Sequence, residues 1–131
     1  MTLLNGYLRD LRSLQDVDPQ TYQDNLLIRR TVERTLQLAA QSSLDIGQHI
    51  IAREGFRTPD DNSDVFAVLG EERIIPEALR PELVQMARFR NLIVHDYARI
   101  DDRIVYAVLK ERLTVFDRYA QAVVDYLDRR R

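Results

Sequence analysis

Val32-Glu33-Arg34-Thr35-Leu36-Gln37-Leu38-Ala39-Ala40-Gln41-Ser42-Ser43-Leu44-Asp45-Ile46-Gly47-Gln48-His49-Ile50-Ile51-Ala52-Arg53-Glu54-Gly55 is the stretch that decides the fold class. Its apolar members include Val32, Leu36, Ala39, Ala40, Leu44, Ile46, Ile50 and Ile51, mostly at three- and four-residue spacing, the signature of one buried helical face. Upstream, Asp18-Pro19 reads as an N-cap followed by proline at the first helical position. Gly55 supplies a stop. The spacing therefore predicts one long helix from Pro19 to Glu54, with Gly47 marking a close crossing by another helix.

The same periodicity extends in both directions. Leu4, Leu8, Leu11 and Leu14 predict a helix from Thr2 to about Gln15. Arg57-Thr58-Pro59-Asp60-Asp61-Asn62-Ser63 is turn chemistry, and Asp64 to Glu71 reads as a short helix. Pro81 opens the next helix. A last helix is predicted from Asp101-Asp102 to about Asp128, with Ile104, Val108, Leu109, Leu113, Phe116, Tyr119, Ala120, Val123 and Leu127 on its buried face. The basic end, Arg129-Arg130-Arg131, reads as a frayed, solvated tail complementing the helix dipole. Short connections between long amphipathic helices imply an all-α antiparallel bundle of four to five helices, one domain spanning 1–131.

Composition narrows the function. The chain has 131 residues, 45% hydrophobic and 31% charged, which describes a globular protein. Only four glycines and four prolines interrupt it, favouring helices over a many-turned β architecture. No cysteine is present, which excludes disulfides, thiolate nucleophiles and zinc-thiolate sites. The first ten residues lack a basic n-region and a long apolar core, so a cytoplasmic location is expected. A net charge of −2 argues against a protein that coats nucleic acid non-specifically, though not against a local basic site.

Chemistry concentrates in Arg90-Asn91-Leu92-Ile93-Val94-His95-Asp96-Tyr97. Arginine holds phosphate bidentately without losing its charge, and histidine moves protons near neutral pH. On a continuing helix, Arg90 aligns with Tyr97 and Asn91 comes beside His95, while Arg90 and His95 stand about 140° apart. Unwinding near Ile93-Val94, the reach of the arginine, or a second copy across a two-fold axis could unite them. Arg90 also interrupts an apolar seam of Leu79, Leu83, Met86, Ile93 and Tyr97. The structural alternative is a salt bridge from Arg90 to Glu33 or Asp45. Elsewhere, Asp45 and His49 suit an intrahelical hydrogen bond rather than a catalytic triad. Asp60, Asn62, Asp64 and Glu71 match positions of a calcium loop, but Val65 stands where glycine is required, so turn formation is the expected role. Tyr106, Tyr119 and Tyr126 are expected in packing.

Arg-X4-His-X-Tyr with asparagine directly after the arginine resembles the HepT-like toxins of the HEPN superfamily. Leu44-Asp45-Ile46-Gly47-Gln48-His49-Ile50, Gly55, Pro59, Phe66 and Phe89-Arg90-Asn91 follow that family's order, from about Glu33 to Tyr126. The resemblance implies the toxin of a type VII-like pair: a homodimeric, metal-independent endoribonuclease without cofactor, with Arg90 and His95 catalytic in a cleft between protomers and Asn91 supporting them. It also implies a minimal-nucleotidyltransferase antitoxin that attaches AMP to Tyr97. A helical dimer that binds and regulates a nucleotidyltransferase without catalysis is the competing reading.

Overall fold

The computed structural model describes residues 1–130, apart from the side chain of Tyr97. Seven α-helices carry the described chain: α1 (Thr2–Leu14), α2 (Pro19–Asp24), α3 (Leu26–Glu54), α4 (Asn62–Glu71), α5 (Arg80–His95), α6 (Asp102–Glu111) and α7 (Leu113–Arg129). Short 3₁₀ turns at Glu77–Leu79 and Tyr97–Arg99 precede and follow α5. These are the five expected helical tracts, two of them split at a single residue.

The first split is at Asn25, inside the tract expected to run unbroken from Pro19. Asn25 adopts extended geometry, and its side-chain oxygen accepts from the Ile28 amide at 3.0 Å. Asparagine thus competes with the helix for backbone hydrogen bonds and starts α3 anew. Arg29 bends back to donate to the carbonyls of Tyr22 and Gln23, which α2 leaves open. Tyr22 is buried against Tyr106 of α6, ring centroids 5.0 Å apart.

The second split, at Arg112, corrects the expected last helix. Arg112 leaves helical geometry (φ −116°, ψ 0°) while its amide still bonds the Val108 carbonyl at 2.9 Å, so α6 closes there and α7 starts at the next residue. The buried face is also revised: Ile104 is 52% and Leu127 38% exposed, while Val105 and Tyr126 are buried instead. Glu82 of α5 accepts from Arg118 at 2.9 Å and lies 3.8 Å from Arg112, tying the break to the helix that carries the motif.

α3 is the axis about which the others pack, and one contiguous buried cluster runs from Leu4 to Tyr126. Gly47 sits where α4 and α7 press closest. A β-carbon there would lie 2.8 Å from Val65 Cγ1 and 3.2 Å from the Tyr119 hydroxyl. That hydroxyl donates to the Ser43 carbonyl at 2.8 Å, and the Tyr119 ring meets Phe66 edge-on. At the end of α3, Gly55 takes φ +71°, and the Phe56 amide bonds the Ile51 carbonyl, closing the helix as expected.

The chain's basic end is less free than a frayed tail. α7 continues to Arg129, and Arg130 lies 3.1 Å from Glu54 at the foot of α3. Arg131 lies outside the described residues. No helix among them is long and apolar enough to cross a membrane.

Candidate active site

α4 and α5 run antiparallel. At one end Gly70 admits Arg80: a β-carbon on Gly70 would be 3.0 Å from Arg80 Cδ. At the other end Asn62, the first residue of α4, meets Asn91, near the last turn of α5. The motif is therefore presented where two helix termini converge.

α5 buries Leu83, Met86, Ala87 and Ile93, with Leu79 just before it. Arg90 falls on the same seam, as its spacing requires. Its Nη1 donates to Asn91 Oδ1 at 3.1 Å, and its Nε is buried without a hydrogen-bond partner. No carboxylate pairs with Arg90 among the described residues. The two acids expected to neutralise it are engaged elsewhere: Glu33 with Arg30 at 3.0 Å, and Asp45 as acceptor from Gln41 at 2.8 Å. The structural salt bridge is thus absent. A half-buried guanidinium without a counter-ion keeps its electrostatic demand, and a phosphate would satisfy it.

His95 closes α5, exposed, with no side-chain hydrogen bond among the described residues. The helix ends there because Asp96 leaves helical geometry (φ −140°, ψ 47°), after which the Tyr97–Arg99 turn begins. The expected alignment of Arg90 with Tyr97 on a continuing helix is therefore not formed. The unwinding falls just past the β-branched Ile93-Val94 pair rather than within it. Asp96, left open by the sequence, faces Arg99 at 3.5 Å. The Tyr97 side chain lies outside the described residues.

Asn91 differs from expectation. Four residues from His95 on one helix, it could have touched the imidazole. Instead its Oδ1 accepts from Arg90 and, at 3.4 Å, from Asn62 Nδ2. Arginine can only donate, so the orientation of the Asn91 amide is assigned without ambiguity. The side chain organises the guanidinium, not the imidazole.

Asn62 itself escaped sequence reasoning. Within its own segment it reads as turn chemistry, and nothing in its spacing connects it with Asn91, 29 positions away. Its placement comes from a capped helix start. Asp61 Oδ1 accepts from the Asp64 amide and the Ser63 hydroxyl, both at 2.8 Å, and Asp64 Oδ2 accepts from the Asp60 amide at 2.9 Å.

The calcium-loop pattern resolves into an arginine clamp. Arg57 donates to both oxygens of Asp64 (2.7 and 2.9 Å) and both of Glu71 (2.9 and 3.0 Å). Hydrogen bonds from Arg57 and from the Asp60 amide hold the Asp64 carboxyl well down, to about 2. The guanidinium occupies the space between the acids, and the described residues form no metal-binding cluster of histidine and carboxylates. Asp45 and His49 likewise do not bond each other; both are exposed on a 560 Å³ groove with Gln41, Leu3 and Leu127.

Comparison with known proteins places the chain among relatives. Residues 4–123 match the family model "Ribonuclease HepT-like". The chain is 26% identical over 127 residues to the tRNA nuclease HepT of Aphanizomenon flos-aquae, covering 97% of this chain and 86% of that protein. It is 26% identical over 117 residues to the mRNA nuclease HepT of Shewanella oneidensis, covering 88% of each. A solved structure of a tri-AMPylated Shewanella oneidensis HEPN toxin in complex with an MNT antitoxin superposes with a TM-score of 0.87. It covers 95% of this chain and 92% of that one, at 22% identity, which establishes a shared fold.

Proposed function

Because this chain belongs to the ribonuclease HepT-like family, we propose that it is a cytoplasmic, metal-independent endoribonuclease, the toxin of a pair with an MNT-type nucleotidyltransferase antitoxin. One observation carries the site assignment. Arg90 is a half-buried cation with no carboxylate partner, five residues from an exposed imidazole with no hydrogen bond among the described residues.

RNA brings its own nucleophile, so the protein needs only proton transfer and charge stabilisation. His95 takes the 2′-hydroxyl proton, the freed oxygen bonds the neighbouring phosphorus, and the bond to the 5′-oxygen breaks. Proton transfer of this kind is worth roughly 10²–10⁴-fold. Arg90 stabilises the charge growing on the phosphorane oxygens. The second histidine of a homodimer protonates the leaving 5′-oxygen. The products are a 2′,3′-cyclic phosphate and a 5′-hydroxyl, and DNA is left intact. Asn91 supports the reaction through Arg90, since its carbonyl oxygen receives the guanidinium.

Regulation follows from the same electrostatics. The AMP groups carried by the Shewanella oneidensis toxin suggest Tyr97, next to the end of α5, as the acceptor here. Each AMP adds a phosphate negative charge where the RNA backbone must sit.

The test is incubation of the purified protein with total RNA and with tRNA, with and without EDTA, beside His95→Ala. Cleavage that survives chelation and disappears in the variant is the expected result. Intact RNA in every lane would overturn the assignment and leave a helical module that binds a nucleotidyltransferase.

A further inference from the structure

Two donors converge on a single amide oxygen in this molecule. Arg90 Nη1 reaches Asn91 Oδ1 at 3.1 Å from the same helix, and Asn62 Nδ2 reaches it at 3.4 Å from α4. An amide carbonyl has two lone pairs, and both are used. Asn91 Nδ2 has no acceptor among the described residues. Its amide plane is set by the two donors on the opposite side. Arg90 Nη1 is likewise committed, with Nε buried and unbonded behind it, so the remaining guanidinium N–H groups have a restricted direction.

We propose that Asn62 is a positioning residue: by sharing Asn91 Oδ1 with Arg90, it orients the Asn91 amide and the Arg90 guanidinium into one donor array for an RNA phosphate. The inference rests on the reading of Arg90 given under Proposed function. Asn62 touches neither phosphate nor imidazole in this arrangement, and acts only through Asn91. Its rigidity comes from the Asp61 cap and the Arg57 clamp, which fix the first turn of α4 from outside. Pre-aimed donors of this kind contribute more in the transition state than donors that must be reoriented.

Asn62→Asp separates positioning from folding because a positioning role alone predicts lost turnover at undiminished stability. Aspartate has the same shape, and an acid in the first turn favours the helix dipole, so a purely structural site would tolerate it or gain stability. At Asn91, however, it replaces a donor by an acceptor: the Asn91 amide must turn over, and a carboxylate enters the reach of Arg90. Asn62→Leu removes the donor while roughly keeping volume and adds no charge.

The experiment measures cleavage of tRNA by wild type and both variants, thermal melting of each, and the side-chain amide NMR signals of Asn91. Expected are a melting temperature for Asn62→Asp at or above wild type and a kcat at least about tenfold lower. For Asn62→Leu, kcat should fall roughly fivefold with KM little changed, the scale of one lost hydrogen bond. The Asn91 amide signals should shift in both variants. Cleavage within twofold of wild type in both, with Asn91 signals unmoved, overturns the proposal. If the wild type cleaves no RNA, the functional reading fails by itself. The relay is then decided by the Asn91 signals alone: shifted in Asn62→Leu, it stands; unshifted, it falls.

Discussion

Arg90 sits in a seam of Leu79, Leu83, Met86 and Ile93, with its Nε buried and unbonded and one amide oxygen as its partner. Partial burial of a guanidinium with no carboxylate partner among the described residues opposes folding, and under the proposed function the position trades stability for an electrostatic readiness towards phosphate. Arg90→Met keeps the aliphatic stem and removes the charge. Its melting temperature is expected to equal or exceed wild type, while RNA cleavage falls at least about 10²-fold, the scale of one lost oxyanion donor. A variant that melts well below wild type would show that Arg90 holds the fold together rather than the substrate. The placement of Arg90 on the apolar seam was legible from spacing alone. That Glu33 and Asp45 would not neutralise it was not, because each is drawn to a neighbour on its own helix, Arg30 and Gln41.

At the scale of elements, local signals located the caps and missed the breaks. Asp18-Pro19, Gly55 and Pro81 act as read, because capping is satisfied within a few residues of chain. The break at Asn25 carries a local cap, on the Ile28 amide, that the amphipathic run across it masked, whereas the break at Arg112 has no side-chain cap and depends on where α6 and α7 pack. The Arg57 clamp across α4 is likewise a product of folding, joining residues seven and fourteen positions away. It gives α4 a defined pH response. The Asp64 carboxyl is depressed to about 2, against about 3.9 in an unfolded chain. A depressed folded value means that the bond's contribution is complete above the unfolded value. It fades as pH falls from about 4 through 2. Arg57→Ala is therefore expected to melt a few degrees below wild type at pH 7, with the gap closing as the pH approaches 2. Thermal melts followed by circular dichroism across that range decide it, and a gap that persists unchanged at pH 2 refutes the assignment.

At the scale of the whole molecule, Arg90 and His95 lie on one helix, yet the proposed reaction draws a second histidine from another copy. If the cleft is composite, mixing Arg90→Ala with His95→Ala and allowing subunits to exchange should restore part of the cleavage that each lacks alone. A heterodimer retains one arginine and one histidine. Restored cleavage in the mixture supports a shared cleft, and none after verified exchange refutes it. The sequence by itself determined the all-helical class, the five amphipathic tracts and the place of Arg90 on the apolar seam of α5. Hydrophobic period and capping act over a few residues and need no partner. Only the tertiary structure decided that α5 ends at His95, that Asn91 serves Arg90 instead of His95, and that Asn62 joins them. The first follows from the backbone conformation that Asp96 adopts, the second from which donor reaches the Asn91 oxygen once the core has closed, and the third from side chains meeting across helices 29 positions apart.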